Sequence, residues 1–338
     1  MLTFGAAAEN EIEDVARFLR GIFGSALDHA PFRTGVLRWK CFAPHPLWSG
    51  SRSYVYRDGE TIRAHGCVTP IEWMHAGGVT RTACVVDWAA DRSAPGLGML
   101  LYRGVAQMLD GLTGIGGSDD AIRVLPRAGF RQIAEMPVFT RVIRPLALHW
   151  NRPLDWKTPI RLARDWRRAL RPLSAPGPEW RAQRVDRFDA WVAPALPEPG
   201  RPSPVVSRRS SELLNYWLDC PAAAMEGYRV HGPAGQSAYF LVSKRDGECR
   251  ICDVGVSSAD AAAWNAAIAL AVRTAAADRA VRVVKMATSA ALMGRALTSL
   301  GFHIERREPV FYWDSSKKGS PEGELSMTFA ENDFFYLR

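Results

Sequence analysis

The 338-residue sequence has no run of roughly 18 or more uncharged apolar residues, so it offers no helix that could span a bilayer. It also lacks the marks of a secretory leader. Met1–Asn10 has neither a basic start nor an apolar stretch, and Glu9, Glu11, Glu13 and Asp14 come at once, so a cytoplasmic location is expected. Cysteine is scarce, at 6 residues, which excludes a disulfide framework. Cys249-Arg250-Ile251-Cys252 has no second cysteine pair and no histidine pair at zinc spacing. Both thiols therefore read as core residues of a strand, and no metal is expected. No G-x-G-x-x-G opens a β-α unit, which argues against a dinucleotide-binding fold. With 47% hydrophobic and 23% charged residues, the chain can bury a core in each of two halves, and its length favours two domains.

One order of landmarks occurs twice. The first copy has Trp39 and Pro44, the strand Tyr54-Val55-Tyr56 running into Asp58-Gly59-Glu60, and a closing Leu125-Pro126-Arg127-Ala128-Gly129-Phe130. The second has Trp217 and Pro221, Tyr239-Phe240-Leu241-Val242 followed by Asp246-Gly247-Glu248, and Leu297-Thr298-Ser299-Leu300-Gly301-Phe302. Self-similarity at this scale indicates a duplicated unit. The expected division is 1–145, a connector over 146–178, and 179–338.

The net charge of +8 is concentrated in one place. Residues 1–143 carry 15 basic and 14 acidic side chains, and residues 210–338 carry 14 and 15. The span 144–209 carries 14 and 6, with 11 of the 22 prolines. It reads as a Pro-punctuated connector around a basic helix over Ile160–Leu170, bearing Arg161, Arg164, Arg167 and Arg168. Two readings are open for this stretch. In one, Trp150, Trp156, Trp166 and the leucines pack on the neighbouring domains, the arginines are solvated, and Asp155 and Asp165 interrupt the charge. In the other, 150–171 makes a peripheral membrane or anion contact.

Local patterning predicts, for the first half, a strand at Leu2–Phe4, helices over Glu9–Phe23 and Thr34–Phe42, and a hairpin of Ser53–Arg57 with Thr61–Thr69. A strand at Val79–Trp88, a helix over Leu97–Leu112, a strand at Leu112–Gly117, a helix over Asp119–Ala128 and a strand at Gln132–Ile143 complete it. The class is α+β with a mixed sheet. The junction Asp87-Trp88-Ala89-Ala90-Asp91-Arg92-Ser93-Ala94-Pro95-Gly96-Leu97-Gly98-Met99 is its most chemical part. Two glycines at a helix start let the backbone approach a ligand, and the unpaired N–H groups and helix dipole there favour a pyrophosphate.

This arrangement resembles the Gcn5-related N-acetyltransferase superfamily, whose pyrophosphate loop carries Arg or Gln, two residues, Gly, one residue, then Gly or Ala. Gly96 and Gly98 match, the leading position is Ser93, and Arg92 is displaced by one. The helix running into Gly129-Phe130 is similar to that superfamily's last helix. The resemblance covers nearly all of 1–145, and the same element order recurs from about Glu179 to Arg338. It implies two tandem acyl-CoA N-acyltransferase domains, each a mixed, mostly antiparallel sheet flanked by helices. It also implies acetyl-CoA or another acyl-CoA as co-substrate and direct attack of an amine on the thioester.

On that resemblance the donor is held in the N-terminal domain by Trp88, Arg92, Ser93, Gly96, Leu97, Gly98, Met99, Gly117 and Ser118. Gly116-Gly117 fits the splay that admits the pantetheine arm, while Ser118 or Asp119 can cap the following helix. Asp87 and His65 are the candidate bases, His65 with an unperturbed pKa of about 6.5. The superfamily's usual acid is a Tyr, and that position is Leu125 here, so either Tyr54, Tyr56 or Tyr102 substitutes or the thiolate leaves unassisted. The expected acceptor is a small-molecule or sugar amine, and nucleic acid is not an expected partner.

The second copy has no G-x-G. Its helix start is Ser257-Ser258-Ala259-Asp260, a capping pattern that takes up the N–H groups a phosphate would bind. It is therefore expected to have lost acyl-CoA binding, and to wall the cleft or recognise the acceptor. Asp253 and Arg250 read as a polar pair at a strand end, and Leu325–Phe329 with Asn332–Tyr336 as a last strand closing the second sheet. The alternatives are a Fem-type aminoacyl transferase, with RNA on the basic connector, and a degenerate pair of domains that binds or senses a ligand.

Overall fold

The structure is a computed structural model that describes residues 1–24, 32–149, 156–173, 176–198, 205–317, 319, 321 and 323–336. Trp150 and Asp155 lie outside the described residues. The first half runs β1 (Leu2–Ala6), α1 (Ile12–Phe23), α2 (Thr34–Cys41), β2 (Ser53–Asp58), β3 (Thr61–His75), β4 (Gly78–Ala90), α3 (Leu97–Ala106), β5 (Gly111–Ile115), α4 (Asp119–Val124) and β6 (Arg131–Val142). Helices α5 (Pro145–His149) and α6 (Thr158–Ala169) follow. The second half runs β7 (Arg181–Val185), β8 (Val205–Ser207), α7 (Ser211–Leu218), β9 (Ala224–His231), β10 (Ser237–Arg245), β11 (Glu248–Val256), α8 (Ala261–Ala277), β12 (Val283–Ala287), α9 (Ala291–Ser299), β13 (His303–Asp314) and β14 (Leu325–Ser326).

The local causes are those legible in the sequence. Ile12, Val15, Ala16 and Leu19 recur at helical spacing and are the buried side of α1. Asp246 and Gly247, at φ of 51° and 79°, make the tight turn between β10 and β11, and Gly59, at 59°, serves the β2–β3 hairpin. The expected helices at Glu9–Phe23 and Asp119–Ala128 give up Glu9–Glu11 and Pro126–Ala128 to 3-10 turns, and a third is shorter than its pattern. α3 stops at Ala106, because Leu112 belongs to β5 and pairs with Ala83 of β4 and Trp313 of β13.

All of these strands except β8 and β14 follow one path, β1-β2-β3-β4-β5-β13-β6-β12-β11-β10-β9-β7. The halves exchange a strand at its centre. β13 of the second half lies antiparallel between β5 and β6 of the first, and β6 also pairs with β12 of the second. β5 and β12 are separated by three antiparallel steps, so the parallel pairs β4–β5 and β11–β12 point in opposite directions. Each pair diverges beyond its last rung, and the two openings therefore face opposite ends of the sheet.

The C-terminal segment differs from the expected closing strand. β14 runs parallel to β8, which is in turn antiparallel to Trp73–Met74 of β3, and short 3-10 turns follow at Phe329–Glu331 and Asp333–Phe335. The strand path instead ends at β7. Met327, Phe329 and Tyr336 are buried in one core with Trp39 and Trp73 of the first half and Trp217 of the second. Trp39 also donates from Nε1 to the Tyr216 carbonyl (3.0 Å) and stacks on the Tyr216 ring at 4.8 Å.

Candidate functional site

At the first opening, a bulge in β4 sets Asp87 and Trp88 together opposite Gly66, with Asp87 at a φ of 50°. The Asp87 carboxylate is paired with the Lys40 ammonium, and both side chains are buried. His65 is also fully enclosed, its Nε2 2.9 Å from Ser53 Oγ and its Nδ1 3.2 Å from the Asp87 carbonyl. Neither candidate base meets solvent in this conformation. Burial opposes the Lys40 charge, yet Asp87 and the neighbouring thiols and Asp333 leave its pKa above the ordinary lysine value.

The glycine junction has a mixed character. Gly96 is left-handed (φ 84°), begins α3 without any side-chain cap, and has open space where a side chain would stand. That leaves the helix N-terminus available to an anion. Gly98, by contrast, is needed for packing: a Cβ there would sit 2.9 Å from Trp88 Nε1, which donates to the Gly98 carbonyl at 3.0 Å. Ser93 donates from its N–H and hydroxyl to Asp91, which also holds Arg63, while Arg92 is exposed. Leu97 is buried and Met99 half-buried. Gly117 is exposed at a φ of 118°, and Ser118 caps α4 by accepting from the Ala121 N–H (3.2 Å).

Trp88, Tyr102, Phe130 and Trp313 form a run of ring contacts at 4.8, 5.4 and 5.7 Å on the α3 side of β4 and β5. Burial pushes the Tyr102 hydroxyl pKa above the ordinary phenol range. Leu125 belongs to the same apolar cluster.

The second opening holds a cavity of about 420 Å³. The end of β11, the Ser257–Ala259 turn, Trp264 of α8, the first turn of α9, β8, Met74 and Thr328 line it, and nothing from 87–99 or 116–118 does. As the sequence pattern predicts, α8 is capped: Asp260 accepts from the Ala262 N–H at 3.0 Å and Ser258 Oγ from the Asp260 N–H at 3.1 Å. The open space was not legible from that pattern. β11 and β12 pair only as far as Ile251 and Met286, and the cavity is lined beyond them by the end of β11 and the start of α9.

At the cavity wall, Asp253 pairs with Arg209 rather than with Arg250, which is bonded to Glu248. Arg209 reaches Asp253 through Nε (2.9 Å) and Nη2 (3.1 Å) and also pairs with Glu331 of the C-terminal segment. Tyr239 donates to Asp253 at 2.7 Å, and Thr328 donates to it at 2.9 Å. Burial and Asp253 hold the Tyr239 pKa well above the ordinary phenol value, so the phenol keeps its proton. Ser207 Oγ, in a residue only 4% exposed, lines the cavity without a hydrogen-bond partner.

One sequence signal pointed here. Glycine inside a strand marks a close approach, and at Gly255 a Cβ would fall 2.2 Å from the Tyr239 ring. Arg209 and Glu331 carried no such signal, because only the fold brings them to Asp253. Among the described residues no group of three or more His, Cys, Asp or Glu is placed to hold a metal. Cys249 and Cys252 are both buried, in different core clusters.

Two units of this element order, with a β-bulge beside a parallel pair that splays before a helix, define the architecture. The fold is that of tandem Gcn5-related N-acetyltransferases. It is similar to a GCN5-related N-acetyltransferase from Anabaena variabilis at 11% identity, with a TM-score of 0.59 over 93% of this chain and 73% of that one. A tandem GNAT protein from the clavulanic acid biosynthesis pathway matches at 15% identity and a TM-score of 0.56, over 94% of this chain and 100% of its own. The Saccharomyces cerevisiae N-myristoyltransferase with bound myristoyl-CoA matches at 12% and 0.55, over 93% and 82%. No family model matches the sequence, and no curated protein matches it. Among the described residues of this tandem GNAT fold, no helix is long and apolar enough to cross a membrane.

Proposed function

We propose that the protein is an acyl-CoA-dependent N-acyltransferase whose donor thioester lies in the cavity between the end of β11 and the start of α9. The observation that carries this reading is the 420 Å³ cavity itself, at a parallel-strand divergence and ending on Tyr239, Asp253 and Arg209. Its volume is within the range of small-molecule sites, and its wall combines apolar side chains with a few convergent polar groups. Transfer forms a C–N bond from the acceptor nitrogen to the acyl carbon and breaks the C–S bond. The amine loses a proton and the departing thiolate gains one.

Tyr239 lines the cavity and is the phenol that meets the thiolate if its hydroxyl turns from Asp253, to which it donates at 2.7 Å. Glu198, Asp253 and Glu324 set three carboxylates against the two guanidiniums of Arg209 and Arg295 along the cavity, which leaves its lining one positive charge short and favours an acceptor that arrives as an ammonium ion. A small amine, a sugar amine among them, supplies that charge.

The start of α8 beside this cavity is capped by Ser258 and Asp260, whereas the start of α3 is uncapped, and this favours a second reading. In it Gly96 and the residues about it, Trp88, Arg92, Ser93, Leu97, Gly98, Met99, Gly117 and Ser118, hold the donor, and Asp87 or His65 takes the proton. Calorimetry with acetyl-CoA on Leu292→Trp, which fills the cavity, and on Gly96→Glu, which puts a carboxylate at the α3 start, separates the two. The first reading expects at least a tenfold loss in Leu292→Trp alone, and the second expects it in Gly96→Glu alone. If the parent protein binds no acyl-CoA, and releases no CoA with any amine, the acyltransferase reading fails.

A further inference from the structure

Helix α6 is attached by its polar side. Its buried residue is Asp165, which lies 2.9 Å from His149 Nε2 and pairs with Arg164 and Arg168. Four of the large side chains in and beside it stay exposed rather than packing on the neighbouring halves. Trp156 is 77% exposed, Ile160 65%, Trp166 41% and Leu170 72%. Spaced by four, six and four residues, they fall on one face at helical periodicity. Lys157, Arg161, Arg164, Arg167, Arg168 and Arg171 accompany them, with Asp165 the one acid between 156 and 171.

We propose that α6, with Trp156 before it, is a docking element that seats its apolar face in the headgroup region of an anionic bilayer. Exposed indoles settle at the boundary of lipid and water, aliphatic side chains enter the acyl region, and arginines hold anionic headgroups. The charge of the whole chain supports this occupant, because the excess of +8 resides in the span that contains α6. A second copy is a poor fit, since it would set one basic face against another. A nucleic acid would use the arginines but leave Ile160 and Leu170 in water. This inference is independent of the acyltransferase reading.

The test is co-sedimentation of the full chain with phosphatidylcholine vesicles, with and without about one-third phosphatidylglycerol, at low salt and at about 0.5 M salt. The parent protein should bind the anionic vesicles at least tenfold more tightly than the neutral ones, and high salt should weaken that binding. The variant Ile160→Ser/Trp166→Ala/Leu170→Ser should lose at least tenfold while keeping the parent melting temperature. Arg161→Glu/Arg167→Glu should lose the preference for anionic lipid. Equal binding to both vesicles, or unchanged binding by the apolar variant, overturns the proposal. So does the absence of vesicle binding, including where α6 variants instead alter oligonucleotide binding or self-association.

Discussion

The Lys40 ammonium and the Asp87 carboxylate are paired inside the molecule, with each side chain only 4% exposed. The second half repeats the device with Arg209 and Asp253 at the corresponding bulge. A single C-terminal segment serves both, bringing Glu331 to Arg209 and Asp333 close to Lys40 and Asp87. The duplication therefore extends to two buried charge clusters, each with one cation and two carboxylates. They differ in what lies beside them. The Asp253 cluster meets a cavity of about 420 Å³, and the Asp87 cluster, through Lys40, only a hollow of about 20 Å³.

Removing one partner of a buried pair strands the other charge, at a cost of about 3–5 kcal/mol. Asp87→Asn and Lys40→Met should each lower the stability read from urea midpoints by about 3 kcal/mol, and the double variant should recover part of that loss. Activity measured on Asp87→Asn supplies a second readout. An Asp87→Asn protein of parent stability but without turnover would move the chemistry to the first half.

Asp333 makes stability depend on pH. Burial, with Asp87 adding to it against the pull of Lys40, raises its carboxyl from 3.8 to about 7. The folded protein thus holds this proton more tightly than the unfolded chain. Its contribution is fully present below about pH 4 and is lost as pH rises toward 7. Asp333→Asn should remove that slope and be more stable than the parent at pH 8, by about 2 kcal/mol. Thermal melts of the two proteins from pH 4 to 8 give the difference directly, and parallel curves would refute the assignment.

Gly98 distinguishes packing from ligand approach. A Cβ would lie 2.9 Å from Trp88 Nε1 and 3.0 Å from Cζ2, so Gly98→Ala should destabilise by about 1–3 kcal/mol. Phe has no second ring at that place, so Gly98→Ala should cost much less in a Trp88→Phe background. Equal costs in both backgrounds would show that Trp88 is not what the glycine accommodates.

The repeated landmarks were legible because each is a local requirement. Asp-Gly closes a hairpin, Gly-Phe ends a helix, and Ile12, Val15, Ala16 and Leu19 mark one helical side. The Ser258 and Asp260 cap was legible for the same reason. Residues whose partners are distant in sequence were not. Arg209 meets Glu331 across 122 positions, and the position of β13 between β5 and β6 depends on the whole path of the chain. The cavity depends on which side chains fill a strand divergence, and the glycine pattern reports only backbone freedom. Hence the motif reading turned on Gly96, while the cavity toward the other end of the sheet carried no such motif.

The strand exchange makes a prediction about the halves themselves. A chain of residues 1–178 would retain β5 and β6 but lack β13, which pairs with both along most of its length. A chain of 179–338 would retain β12 and lose β6 from its edge. Each would expose unpaired strand edges and the apolar faces that β13 or β6 covers, a state that favours aggregation. Expressed singly, both fragments should be insoluble or lack a cooperative melt. Co-expressed, they should form a soluble one-to-one complex, because covalent continuity is not what holds β13 between β5 and β6. Cooperative unfolding of either fragment as a soluble monomer would mean that its sheet closes without the other half, and that the exchange contributes little to stability.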